Sequence, residues 1–326
     1  NAMVRDAQIT AADAQTLGAI ASVYGSPEGP EITKGSEVVY GNASLFDEHT
    51  WGAANPWTIG DQGMDSGDQQ WHWKYSKALN ATDEGEVLLD RASSHLGEVL
   101  APASGVLASY YITNTVIWNR TDETVLFLPE SKVPLETSIK VIDSRSKKEL
   151  DFYETDQVNP KHRNAGRFVH VLLPDAPSLG VVRLDIQKAD KASVNVLPTE
   201  GALVLENEFL KVTLDAKTSS VSSIYSKGLK REIVRQDSVV GFNAHIYDEY
   251  ASSGGFNHQS GRTEGNLRLD LLATRNLNKP GLVVDRGRNS VKEWITIESY
   301  SKGSSWIRST YTLRKGVDRL DINNRI

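Results

Sequence analysis

The chain has 326 residues, of which 39% are hydrophobic and 24% charged, the balance of a folded protein too long for one compact core, so two or three domains are expected. A net charge of −6 without any run of Lys and Arg argues against a nucleic-acid partner or an anionic membrane surface, both of which favour a basic face. The absence of cysteine excludes disulfides and thiolate zinc sites, so any metal must use His and carboxylates.

Residues 1–104 read as a helical bundle. Thr10 followed by Asp13 resembles a capping box ahead of a helix through Leu17 and Ile20, and Gly25-Ser26-Pro27 stops it. The clearest helix begins near Asp68. Trp71, Tyr75, Ala78, Thr82, Gly85, Leu89, Ala92 and Leu96 alternate spacings of four and three, which traces one stripe along a long helix. Pro102 and Gly105 close this region.

From residue 105 the apolar period changes. Val106–Ile112, Val116–Asn119, Val125–Leu128, Ile139–Ile142, Arg167–Leu173 and Val181–Ile186 are short, rich in Val, Ile and aromatics, and separated by turn residues, which predicts a small antiparallel sandwich over 105–198. Residues 199–326 start a second β domain. Phe209–Leu214 alternates apolar and polar side chains, Asp215–Ser219 turns, and Val221–Tyr225 returns. Further strands are expected at Leu267–Ala273, Val291–Glu298, Ile307–Leu313 and from Leu320, where the chain stops at Ile326 as if a larger domain were truncated. The expected fold class is therefore α+β and multidomain: an N-terminal helical bundle followed by antiparallel β-sandwich domains. No apolar stretch reaches the roughly 18–20 residues that cross a bilayer, and no basic-then-apolar leader opens the chain, so no membrane partner and a cytoplasmic location are expected.

The densest chemical cluster is Phe46-Asp47-Glu48-His49-Thr50-Trp51-Gly52. Asp47 and Glu48 form a carboxylate pair, but adjacent residues project in different directions and seldom flank one glycosidic bond. His49 is a lone histidine, and most such histidines are structural. His245 and His258 bracket a loop with Asp248 and Glu249, a set that could bind a metal but whose spacing fits no recognised motif. GxSxG, a P-loop, a dinucleotide fingerprint and HExxH are all missing. Seven tryptophans and eleven tyrosines invite a sugar-stacking reading, although most aromatics in β-rich proteins are core.

Two segments resemble glycoside hydrolase family 38, the zinc-dependent retaining α-mannosidases. The first is Leu45-Phe46-Asp47-Glu48-His49-Thr50-Trp51-Gly52-Ala53 followed by Asp68-Gln69-Gln70-Trp71-His72-Trp73-Lys74, similar to the start of the family's middle helical domain in one bacterial branch. The second is Leu205–Val212 with Val221–Lys227, similar to the hairpin that opens its large C-terminal β domain; Ile307 through Asp321 is like a later strand pair. The resemblance implies a bacterial source, a catalytic barrel before residue 1, and completion of the β domain after residue 326. The family's nucleophilic Asp and its N-terminal His and Asp zinc ligands have no counterpart here. It implies zinc as the cofactor of the longer protein, an α-mannoside or related glycan as its substrate, and His49 as one metal ligand. Many members carry an Asp directly after that His, whereas here Thr50 follows, so a carboxylate contact to the sugar falls to Asp47 or Glu48. The family's β domain also lends a Tyr to the active site, and Tyr247 is the candidate. The chain alone is then expected to hold zinc poorly and to be inactive, with no catalytic residue of its own. Two other readings stand beside this one: a non-enzymatic carbohydrate-binding or adhesion module, and an independent hydrolase using Asp47 and Glu48.

Overall fold

The computed structural model describes residues 2–47, 66–101, 103–156, 158–159, 164–190, 197, 199–250 and 272–326. Among them three helices come first: α1 (Ala2–Val23), α2 (Gly29–Asp47) and α3 (Ser66–Val99). Antiparallel strands follow: β1 (Ala108–Thr113), β2 (Arg120–Pro129), β3 (Ile139–Asp143), β4 (Phe152–Asp156), β5 (Gly166–Ala176), β6 (Val181–Lys188), β7 (Val204–Glu206) and β8 (Leu210–Asp215). Then come β9 (Ser220–Ser226), β10 (Arg231–Glu232), β11 (Ile246–Tyr250), β12 (Leu272–Leu277), β13 (Leu282–Arg288), β14 (Lys292–Ser301), β15 (Ser304–Arg314) and β16 (Leu320–Arg325). The architecture is thus the expected α+β one. No described helix is long and apolar enough to cross a membrane. The chain divides into two compact units. One comprises Asn1–Arg120, Ile142–Lys148 and Asp175–Gln187; the other comprises Thr121–Val141, Glu149–Pro174 and Lys188–Ile326.

The first unit is a three-helix bundle with a core of small side chains. Ala7, Ala11, Ala14, Ala21, Ala43, Ala78, Ala81 and Ala92 are all buried, beside Leu17, Ile32, Val39, Leu88 and Leu96. Small residues let the helix axes approach: a Cβ on Gly18 would stand 3.1 Å from that of Ile32. The helix α1 ends at Gly25, whose φ of 99° suits glycine, and Pro30 sits in the first turn of α2, where its missing N–H costs nothing. Thr10 does not cap a helix. It lies well inside α1, and its hydroxyl donates to the Asp6 carbonyl one turn back. On α3 the long helix forms as predicted, but the buried stripe is Lys74, Ala78, Ala81, Gly85, Leu88, Ala92 and Leu96. Trp71, at 58% exposure, and Tyr75, at 44%, lie off it. Bulky aromatics do not fit against an alanine-lined neighbour, and the smaller side chains take the inner face.

In the same unit β1 pairs with β6, from Ala108↔Ile186 to Thr113↔Val181, and Val181 packs on the helical core. Val116–Asn119 is a bend rather than a strand. The buried Asn114 amide donates to the carbonyls of Trp118, Ala176 and Pro177 at 2.8, 3.2 and 2.9 Å, and this folds the segment back on itself.

In the second unit the sheet β2-β5-β4 precedes a sandwich of two four-stranded sheets, β10-β9-β8-β7 and β13-β14-β15-β16. The predicted hairpin is present as β8 and β9, paired from Leu210↔Ser226 to Asp215↔Ser220. Alternation puts Leu210, Val212 and Leu214 inward, where they meet Ile295, Ile297, Tyr311 and Leu313 of the facing sheet. Tyr311 is fully buried, and its hydroxyl accepts from the Asn243 amide at 3.0 Å. The ribbon β11-β12 is separate from these sheets in its pairing.

Gly166 opens β5 where β2 passes close by. A Cβ there would lie 2.8 Å from the Phe127 ring edge and nearer still to the Leu128 carbonyl, which cannot rotate away. Gly166→Ala is therefore expected to lower unfolding free energy by about 2 kcal/mol. By contrast Gly41, exposed on α2 with nothing within 4 Å of where a Cβ would stand, should gain about 0.5–1 kcal/mol as alanine. Urea denaturation of both variants checks the pair, and equal effects would contradict this packing.

Candidate functional site

Asp47 is the last residue of α2 and is exposed. The end of this helix is held from α3: the buried Lys74 extends its Nζ to within 3.0 Å of the Phe46 carbonyl. A cation on the C-terminal carbonyls of a helix satisfies an orphan acceptor and the helix dipole together. Phe46 packs against Val4, Ala43 and Ala78. The chain therefore enters the segment after Asp47 from a fixed point. His49, Glu48 and the Trp51 and Trp57 positions lie outside the described residues.

Tyr247 lies on β11, opposite Asn276 of β12. Its ring rests on Gly303, in the turn between β14 and β15, where φ is 82° and any side chain would collide with the ring. The tyrosine is 39% exposed. Its neighbours are anchored to the same turn: His245 Nδ1 lies 2.7 Å from the Ser301 hydroxyl, and Lys302 donates to Glu249 at 2.7 Å. Asp248 points to the other face of the ribbon and pairs with Arg275 at 2.7 Å. Hydrogen bonds from Arg275 hold the Asp248 carboxyl below its ordinary range, and those from Lys302 and Asn276 do the same for Glu249. The suggested metal set thus disperses: Asp248 and Glu249 face apart with a cation each, and His258 lies outside the described residues. Asp47 belongs to the first unit and Tyr247 to the second.

The most elaborate polar constellation was not foreseen from the sequence. Glu123, on β2, has a side chain only 6% exposed and receives four partners from four strands. Tyr153 (β4) donates its hydroxyl at 2.8 Å, His170 Nδ1 (β5) lies at 3.0 Å, Lys292 Nζ (β14) at 3.1 Å, and Arg314 Nε (β15) at 2.8 Å. The Tyr153 and His170 rings stack 4.3 Å apart, and Lys292 stands over the tyrosine ring. A further layer joins Arg314 to Asp321, and Arg319 to Asp122 at 3.1 Å. Burial alone would push the Glu123 carboxyl up and is the largest single effect, but the His170, Lys292, Tyr153 and Arg314 contacts together outweigh it and hold the group well below the usual carboxylate range. Burial, then the charge and hydrogen bond of Glu123, push the Tyr153 hydroxyl up, so it stays protonated and donating. A carboxylate so saturated has no proton to give and no free lone pair aimed at a substrate. The cluster is architectural.

Comparison with known proteins bears directly on the sandwich. Residues 205–326 match the family model described as the glycosyl hydrolases family 38 C-terminal domain. Those residues belong to glycoside hydrolase family 38. The fold of the whole chain is similar to the crystal structure of a protein in glycosyl hydrolase family 38 from Enterococcus faecalis, with a TM-score of 0.59 at 13% identity. The alignment covers 98% of this chain and 42% of that one, so the chain spans less than half the length of the solved relative. No curated protein matches the sequence.

In the family 38 domain of this chain, Lys292 and Arg314 are the two cations that reach Glu123. The hub therefore fastens the family 38 sandwich to the small sheet that precedes it within the second unit. A metal fits less well: among the described residues no group of three or more His, Asp or Glu side chains could hold an ion. The described residues therefore give zinc no ligand set of their own.

Removing the carboxylate charge should expose what the hub contributes. Glu123→Gln is expected to cost about 3 kcal/mol at neutral pH, because Lys292 and Arg314 remain largely buried without their shared anion. Because the folded-state value is lowered, that contribution is complete above the ordinary carboxyl value of 4.5 and is lost as pH falls below it. The difference between wild type and variant should shrink on acidification. Urea unfolding across the acid range measures it, and a pH-independent difference would contradict the hub.

Proposed function

We propose that this chain is the non-catalytic helical and β region of a longer zinc-dependent retaining α-mannosidase-like glycoside hydrolase. The observation that carries the reading is a family 38 C-terminal domain at residues 205–326 within a chain whose fold follows a family 38 structure nearly end to end while spanning 42% of it. The nucleophile and acid of a retaining glycosidase stand about 5 Å apart across the scissile bond. Glu123 is saturated by four partners, and Asp248 and Glu249 are each tied to a cation on opposite faces. In this reading both catalytic carboxyl groups come from a barrel outside these 326 residues.

In this reading the chain contributes a wall of the site and three contacts. His49, just beyond the Lys74-anchored end of α2, supplies one zinc ligand. Asp47 offers the carboxylate that would otherwise follow the histidine, and the half-exposed Tyr247 is presented from a ribbon fixed on the β14–β15 turn. One imidazole leaves most of the coordination sphere of zinc to water, so the chain alone retains the ion poorly.

The longer protein should hydrolyse an activated aryl α-mannoside, lose that activity to a chelator, and fall by about a hundredfold or more on His49→Ala, since even outer-shell partners of a metal are worth up to about that much. The 326-residue chain should show no turnover after zinc loading and dialysis. Stoichiometric zinc retained by the chain through His49, or turnover abolished by His49→Ala in the chain alone, would overturn the assignment of roles.

A further inference from the structure

The outward face of the sheet β13-β14-β15-β16 carries a groove of about 450 Å³, within the roughly 300–1,000 Å³ of small-ligand sites. It is lined by Val284, Asp285, Thr296, Arg308, Thr310, Asn323 and Arg325. The inward side chains of the same strands, Ile295, Ile297, Tyr311 and Leu313, build the sandwich core, so alternation turns Thr296, Arg308, Thr310, Asn323 and Arg325 outward.

Three features separate the groove from an ordinary solvated sheet face. First, β13 departs from regular register between Val283 and Asp285, so Val284 is bulged and Asp285 comes opposite Thr296. A bulge re-aims a side chain, and here it delivers a carboxylate to the groove. Second, the groove side chains are braced by neighbours on the same face. The Trp294 indole donates to Asp285 Oδ2 at 2.8 Å. Glu298 receives the Trp306 indole at 3.2 Å and Arg308 Nε at 2.7 Å, and the Arg308 guanidinium lies over the Trp306 ring. Third, Arg308 and Arg325 are direct cross-strand partners. Like charges facing each other across a ladder are destabilising. Glu298 answers Arg308, whereas among the described residues no acidic side chain pairs with Arg325.

The free hydrogen-bonding capacity is mixed. Arg325 and the outer Arg308 nitrogen donate, Asp285 Oδ1 accepts, and the Asn323 amide does both. Over Asp285, Glu298, Arg308 and Arg325 the charges cancel. A phosphate would need donors alone and would meet the Asp285 carboxylate. Vicinal hydroxyls, each of which donates and accepts, match the set, with guanidinium groups well suited to span adjacent hydroxyl oxygens. We infer that this groove is a binding site for a short neutral saccharide, held at the sheet surface by Asp285, Arg308, Asn323 and Arg325. The inference does not depend on the hydrolase reading: it concerns binding by this chain alone, and an inactive longer protein would leave its test untouched.

The test is a titration of the ¹⁵N-labelled chain with methyl α-mannoside, α-1,2-mannobiose and maltose, followed through its indole N–H signals, with inorganic pyrophosphate as the contrasting anion. The Trp294 and Trp306 signals, assigned by single replacement with Phe, should shift saturably with at least one saccharide and not with pyrophosphate. Arg325→Ala and Asp285→Asn should each weaken that binding about tenfold, the loss of one charge-assisted hydrogen bond. Arg325→Ala should leave the Tm no lower than wild type, since it relieves the arginine pair, so a weakened titration would not reflect unfolding. No saccharide-dependent shift at millimolar concentrations, binding unchanged in both variants, or a preference for pyrophosphate would each overturn the proposal.

Discussion

The second unit depends on one buried carboxylate. Glu123 sits where strands from two sheets converge, and each strand sends it a donor of different chemistry: a phenol, an imidazole, an ammonium and a guanidinium. Taking a carboxylate out of water costs several kcal/mol, and the cost is met only if its lone pairs are satisfied and its charge is answered. Here both conditions hold at once, and only when β2, β4, β5, β14 and β15 are all in place. The hub therefore acts as a check on assembly. No subset of these strands makes a satisfied Glu123, which favours the complete arrangement over partial ones.

This kind of information is poorly legible in a sequence. Glu123 and Arg314 are separated by 191 positions, and nothing in either neighbourhood marks them as partners. What was legible is local. The change of apolar period near residue 105 separates helices from strands because the periods of 3.6 and 2 are imposed by backbone geometry, and the β8–β9 hairpin is written in seventeen consecutive residues from Leu210 to Ser226. The failures were local patterns overruled by tertiary context. Thr10 carries a capping pattern but bonds back inside α1; Val116–Asn119 has strand composition but is folded by Asn114; Trp71 and Tyr75 keep helical spacing but give way to a stripe of small residues. The strand β4, with Tyr153 in the hub, was missed because it is only five residues long and its Glu and Asp offset the strand preference of Phe152, Tyr153 and Thr155.

The candidate site divides along the same line. The resemblance picked out Asp47, His49 and Tyr247, and the structure supplies physical settings for two of them: a helix end clamped by Lys74, and a ribbon whose tyrosine needs Gly303 beneath it. Neither setting could be read from spacing, because Lys74 meets Phe46 across two helices and Tyr247 meets Gly303 across two sheets. A motif can name a residue, but only packing shows whether that residue has a fixed position from which to act.

The two charge-rich regions of the second unit make this point from opposite directions. In the hub, every ion faces an opposite ion or a hydrogen-bond donor, and the group at its centre is buried. Such a cluster explains itself through stability. On the outer sheet face, two arginines stand opposite each other, a bulge breaks a regular ladder to present an aspartate, and two indoles hold carboxylates in place at the surface. The arginine pair sets like charges against each other across the ladder, which is destabilising. Rules broken without a structural return tend to fall where a molecule has to recognise something outside itself. By that argument the buried cluster, for all its connectivity, is the scaffold, and the exposed, imperfectly compensated groove is the place to look for a ligand.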